Sequence, residues 1–431
     1  MRRLWSIPAR FFLEIACVLM CALPLVGAGD DSFLLRGATV HPVSSDDIPN
    51  ADVLVRNGRI AGIGSHLAAP KGVRIIELKG LHVYPGMIDS ATEMGLSEIG
   101  AVRETSDVSE LGNLNPELRA IIAVNPASEH IPVTRANGIT SVVTLPQGAM
   151  LAGQGALIHL DGWTWEDMEV EPDASMVLNF PIVESPRLRF FRQNATPYSE
   201  AKQNYEQRIR ELEEFFESAR RYQKARVAKE PGLAQDLKYE AMLPVLDGKV
   251  PLLIEATREK LIREAIRFAD KEKVRMILGH GEEAWKVKDE LKAKNIPVIL
   301  GPTLELPVEE DDPYDRLFTQ PAELVKAGVK IAFGSFNTSS SRNLPYQAAA
   351  AVAFGLPYAD ALKSVTLNPA QIWGVADKLG SIEEGKWADI MITDGDPLET
   401  RTEVKQVFIK GKSLELDNKH KQLYRKYLNR P

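Results

Sequence analysis

The stretch Val83-Tyr84-Pro85-Gly86-Met87-Ile88-Asp89-Ser90-Ala91-Thr92-Glu93-Met94-Gly95 decides how the rest of the chain is read. Residues 83–88 form an apolar run with strand character, and it passes straight into carboxylates and small residues. Six further runs of the same kind follow at 139–145, 176–180, 250–254, 276–278, 297–300 and 330–333. Helical patterns separate most of them, as at 258–269, 283–294 and 321–327. Repeated strand–helix units predict a parallel α/β fold, and a (β/α)8 TIM-like barrel over 83–376 is the best size match. Seven strands are clear, and 156–160 is the candidate for the eighth. In such a barrel the reacting groups lie at the C-terminal ends of the strands, where Asp89 and Glu93 stand.

Outside that region the chain reads as β structure at both ends. Residues 32–80 alternate apolar and polar in short runs, with Asn57-Gly58 as a hairpin signal between two of them. Residues 388–393 and 404–409 repeat the pattern around the turn Asp394-Gly395-Asp396-Pro397. Each piece is too small for its own core, so the two predict one composite β-sandwich domain, 29–82 with 377–431, whose last residues form a surface helix or a frayed end. Within the barrel region, 197–245 reads as a helical insertion. Tyr205, Ile209, Leu212, Phe216 and Ala219 fall on one face of a long amphipathic helix, paired with 233–244.

Residues 1–28 have the layout of a secretory signal peptide: Arg2, Arg3 and Arg10, an apolar run, then Val26-Gly27-Ala28. Glu14 and Pro24 interrupt the run and argue against a membrane span. Both cysteines, Cys17 and Cys21, lie in this segment, so a cleaved chain has neither disulfides nor cysteine–zinc sites. Export without disulfides fits a bacterial periplasm. The formal charge of −7 becomes −9 once Arg2, Arg3, Arg10 and Glu14 are removed. An acidic chain without a sustained basic run argues against nucleic acid as a partner; the expected partner is a small-molecule substrate.

The segment 83–95 resembles the opening of the metal-dependent amidohydrolases, especially their imidazolonepropionase-like branch. The likeness extends to the strands around Asn57-Gly58-Arg59-Ile60, to Ala136-Asn137-Gly138-Ile139-Thr140, to Thr366-Leu367-Asn368-Pro369-Ala370 and to 379–389. It implies a barrel with a β domain, a homo-oligomer, and hydrolysis of C–N bonds by water activated on one or two divalent metals. The implied ligands are a His-x-His pair after the first strand, a His after each of strands five and six, and an Asp after strand eight. Those positions carry Ala91, Glu93, Glu255, His280 and Phe336. Only His280 matches, so the standard metal centre is absent from the sequence.

The remaining candidates are Asp89, Glu93, Glu255 and His280, with Ser335 and Asn337 across the barrel. Two readings stand open. Glu93, Glu255 and His280 hold one metal, zinc or manganese, or no metal is bound and the two glutamates serve as acid and base. Either glutamate has a purely structural alternative, an ion pair with Arg103 or Arg135. Arg135, Gln154, Asn337 and Arg342 are the candidate substrate contacts, and Arg342 would suit an anionic substrate. Gly153, Gly155, Trp163 and Trp165 are candidate walls of the site. The competing functions are an exported hydrolase of non-peptide or cyclic amides with a reduced metal site, and an inactive binding protein on the same scaffold.

Overall fold

The computed structural model describes residues 32–183, 197–307 and 311–430. The stretch read as a signal peptide, with both cysteines, lies outside the described residues. None of the described helices is long and apolar enough to cross a membrane.

Two eight-stranded sheets organise the chain. The first is built from both ends: β1 (Phe33–Val40), β2 (Ile48–Arg56), β3 (Arg59–Gly64), β4 (Arg74–Glu77) and β5 (His82–Pro85), then β14 (Ile390–Thr393), β15 (Val404–Ile409) and β16 (Lys412–Leu414). Their order is β16-β15-β14-β5-β1-β2-β3, with β4 paired to β1. The chain returns to this sheet where β14 pairs antiparallel with β5. The final helix, Lys419–Leu428, buries none of its residues.

The second sheet runs β6 (Met87–Thr92), β7 (Ile139–Thr144), β8 (Leu151–His159), β9 (Glu169–Asn179), β10 (Leu252–Ala256), β11 (Met276–His280), β12 (Val298–Leu300) and β13 (Ile331–Phe333), in that spatial order. It curls until its edges meet, where Phe336 N donates to Ala91 O at 2.7 Å. Asp89 reinforces the seam. Its carboxylate, wholly buried on β6, accepts from Ser335 N (2.9 Å), Ser335 Oγ (2.6 Å) and Ser341 Oγ (2.7 Å) beyond β13.

Two expectations need correction. The apolar run 83–88 is two strands in two sheets. Pro85-Gly86 forms the crossing, and a Cβ on Gly86 would lie 2.1 Å from Thr140 Oγ1. Only glycine permits that approach. The barrel is also not wholly parallel, because β8 runs antiparallel to both β7 and β9. The connection 145–150 is too short for a parallel crossover, which takes about a dozen residues or more. The candidate eighth strand is therefore the second half of a returning strand.

That reversal carries His159 to the opposite end of the barrel from Thr92, opposite Ser141 near the start of β7. There its Nε2–H donates to Asp389 Oδ2 at 2.7 Å, with both side chains buried. Lys410 N donates to the other carboxylate oxygen at 2.7 Å, so this pair fastens the barrel to the sheet made by the chain ends.

The helix Tyr198–Ala228 buries Leu212, Phe216, Ala219 and Tyr222, and the helix Leu237–Leu246 packs against it. Arg226 and Glu240 link the two at 2.9 Å, and Tyr205 bonds Glu264 on the barrel helix Glu259–Glu272. The pair is a packed helical hairpin whose first helix brings Arg208 towards the barrel mouth.

Candidate active site

At the C-terminal ends of β10 and β11 lies a cavity of about 370 Å³, lined among others by Glu255, His280, Asn113, Asn179, Thr257 and Arg208. Glu255 is the fourth residue of β10 and His280 the last of β11, and their backbones sit one register step apart. Glu255 Oε2 lies 3.6 Å from His280 Nε2, and Glu282 Oε1 lies 3.4 Å from His280 Nδ1. The imidazole therefore stands between two carboxylates. Glu255 Oε1 is buried without a hydrogen-bond partner.

The backbone arranges this at a cost. His280 has φ 66° and Phe336 has φ 49°, in the left-handed region that bulky residues avoid. Such conformations cost about 1–3 kcal/mol each and persist where their surroundings enforce them, often at functional sites. The two rings stack, with centroids 3.8 Å apart and planes 24° apart. With Gly281 also at positive φ, the chain turns sharply enough for Glu282 to reach back to His280.

Electrostatics follow from burial and mutual proximity. Burial pushes Glu255 above the usual carboxylate range; Glu282 adds to the shift, while His280 and the Gln147 amide oppose it. Burial alone would lower His280, but the Glu282 contact and the charge of Glu255 outweigh it and the imidazole is raised. Glu93 is raised by burial first and then by the negative charge of Glu255. Asp89 is pushed up to about 6 by burial, against the four hydrogen bonds that hold it.

Of the residues expected from sequence, Glu255 and His280 meet in one cavity, with Glu93 close enough to feel the charge of Glu255. The four candidate substrate contacts lie elsewhere. Arg135 pairs with Asp161 at 3.3 Å and donates to Leu160 O, at the base of the barrel beside the end of β8. It ion-pairs with neither glutamate. Gln154 donates to Pro116 O at 2.9 Å and pins an outer loop. Asn337 turns its carbonyl oxygen back to Ser339 N and Ser340 N, closing a local turn. Arg342 lies against His420 of the final helix, and its carbonyl accepts from Asn137. Trp163, 92% exposed, lines a cleft with His159 and Lys412 at the base.

Sequence reading missed Glu282, Gln147 and Arg208. Arg208 faces the cavity from the helical insertion and has no carboxylate partner among the described residues.

A divalent metal does not fit this donor set. Ala91 and Phe336 offer no ligand atom, the Phe336 ring covers one face of His280, and both imidazole nitrogens already face carboxylates. Among the described residues, no three or more His, Cys, Asp or Glu side chains are placed together to hold an ion. Glu93, Glu255 and His280 are thus not grouped as an ion-binding set among the described residues.

Comparison with known proteins gives the scaffold its relatives. Residues 318–414 match the model of the amidohydrolase family. The amidohydrolase tasK of Hapsidospora irregularis is 25% identical over 386 residues, 84% of this chain and 39% of that protein. A D-hydantoinase of Geobacillus stearothermophilus is 36% identical over 81 residues, 19% of this chain and 16% of the relative. The chain thus spans well under half the length of these curated relatives. Among solved structures, an amidohydrolase from Thermotoga maritima superposes with a TM-score of 0.76 at 29% identity, covering 89% of this chain and 99% of that one. The curled barrel sheet, the sheet shared by both chain ends and these matches together make the chain similar to the amidohydrolases over most of its length.

Proposed function

We propose that the protein is an exported hydrolase of the imidazolonepropionase-like branch, cleaving the C–N bond of a small amide that carries a carboxylate. The observation that carries this reading is the Glu255–His280 pair in the cavity at the barrel mouth, with Glu255 Oε1 buried and unpartnered. Members of the family usually bind a divalent metal such as zinc. The donor set here does not fit one, so the steps rest on the side chains.

Ionised Glu255 takes a proton from water as the water oxygen bonds to the amide carbon. Protonated His280 donates through Nε2–H to the carbonyl oxygen, where negative charge develops. Glu255 then returns its proton to the amide nitrogen and the C–N bond breaks, leaving a carboxylic acid and an amine. Glu93, held above its ordinary range, retains its proton at pH values where a free carboxylate has lost it, and so does not oppose the ionisation of Glu255. It is a positioning residue. Arg208 supplies the cation for the substrate carboxylate.

The reading predicts a bell-shaped pH dependence. Activity needs Glu255 ionised and His280 protonated, and both groups are raised, so both limbs lie above those of an ordinary Glu and His. Glu282 raises both groups, so Glu282→Gln moves both limbs to lower pH. Limbs that stay in place would remove Glu282 and His280 from the mechanism.

Arg208→Ala is expected to raise KM about tenfold or more with kcat little changed, consistent with loss of one charge-assisted hydrogen bond to bound substrate. The functional test is turnover of a panel of N-acyl amino acids and cyclic amides. Release of amine from carboxylate-bearing members supports the reading. Binding without turnover across the panel supports instead an inactive binding protein, the alternative that Ala91 and Phe336 favour.

A further inference from the structure

The end of the barrel opposite the candidate site holds a second cavity, of about 340 Å³, where β11, β12 and β13 begin. Arg275 stands just before β11, whereas His280 ends that strand, so the cavity is separate from the one described above. Its polar lining is Arg275, Lys292, Lys330, Asn295 and Gln371. No carboxylate lines it, although the chain has 59 acidic residues against 52 basic ones.

Two of the three cations are held by neutral groups, and the third lies close to the backbone at Gly328. Arg275 donates to Lys249 O at 3.1 Å, and Lys330 Nζ donates to Gln371 Oε1 at 2.7 Å. Lys292 lies across Gly328, where a Cβ would come within 3.2 Å of its Nζ. Among the described residues none of the three has a carboxylate partner. The walls between them include Ile277, Ile296 and Ile372, and the three cations stand at the exposed rim. Burial lowers Arg275, with no neighbouring acid to oppose it.

Nearby cations on the barrel helices do meet acids, as Arg263 does Glu290 at 2.8 Å and Lys294 does Asp270 at 2.6 Å. One arginine serves a single carboxylate, whereas three cations and two amides lining one cavity match an oxyanion of more than one charge. We propose that this basal cavity binds a phosphate group, with Arg275, Lys292 and Lys330 as its cationic contacts and Asn295 and Gln371 as amide donors. The phosphate is either free or carried as a monoester headgroup, and the same contacts serve both.

Titration calorimetry of the full-length protein with inorganic phosphate, and co-sedimentation with vesicles containing phosphatidic acid, separate the two sources. Free phosphate binding in the millimolar range or tighter, weakened by salt, identifies a soluble ligand. Capture by phosphatidic acid vesicles, and not by vesicles of neutral lipid alone, identifies the headgroup. In either case Lys292→Glu with Lys330→Glu should weaken binding about tenfold or more, and Lys292→Gln less. Both lysines are exposed, so the fold tolerates the changes, and circular dichroism checks this. Absence of binding to both probes, or binding that the charge reversals leave unchanged, would overturn the proposal.

Discussion

Replacing Glu255 by glutamine should lower kcat on the best amide substrate about a thousandfold, within the range a single general base contributes. KM should change little, because the replacement has nearly the same shape and the Arg208 contact is untouched. Stability provides the control. Glu255 is raised in the folded state, so its contribution is present below its unfolded value and lost as pH rises through the folded one. Above that folded value the ionised carboxylate is thus a liability to the fold, and there Glu255→Gln should leave the unfolding midpoint unchanged or higher. Loss of activity with retained or increased stability marks a group kept for its chemistry. A variant that retains most of its activity would remove Glu255 from the reaction, and one that loses activity by unfolding would make it structural.

Asp89→Ala should cost about 4 kcal/mol of stability, seen as a lower denaturant midpoint with little change in slope. The substitution leaves Ser335 N, Ser335 Oγ and Ser341 Oγ facing a methyl group in a fully buried seam, and each lost partner costs about 1–3 kcal/mol. The same carboxylate imposes a pH dependence. Its pKa is raised from 3.8 to about 6, so the stability it contributes is complete below 3.8 and is lost as pH rises through about 6. At this group the fall amounts to ~3 kcal/mol. Asp89→Asn keeps hydrogen-bonding atoms at the seam without the charge. It should flatten that slope and exceed the wild type in stability at neutral pH. An alanine variant within 1 kcal/mol of wild type, by the usual scatter of surface changes, would show that the seam does not depend on Asp89.

Much of the scaffold was legible because parallel strands buried on both faces read as continuous apolar runs. The strands at 139–144, 252–256 and 276–280 stood out for that reason. Other features needed the fold. Pro85-Gly86 lies inside an apolar run, so the change of sheet is invisible until Gly86 is seen against Thr140. The antiparallel course of β8 did leave a signal, the six residues between β7 and β8, which cannot carry a helix across the sheet.

The site was legible at His280 and Glu255, since both end barrel strands. Loop residues misled. Asn337 and Arg342 follow the last strand closely, yet the chain curls into a turn and carries Arg342 to the final helix. Arg208 could not be found from motifs, because an insertion helix far along the chain brings it to the cavity. Glu282 is two residues from His280, and only the two positive φ values at His280 and Gly281 fold it back.

The proposed mechanism has Glu255 and His280 hydrolyse the amide without a metal-dependent step. It is tested most directly by turnover of a carboxylate-bearing amide with protein dialysed against a strong chelator, beside the same protein given zinc or manganese, and Glu255→Gln. Equal rates are expected before and after metal addition, with loss of both in the variant. Activity that appears only with added metal, or that survives in Glu255→Gln, would contradict it.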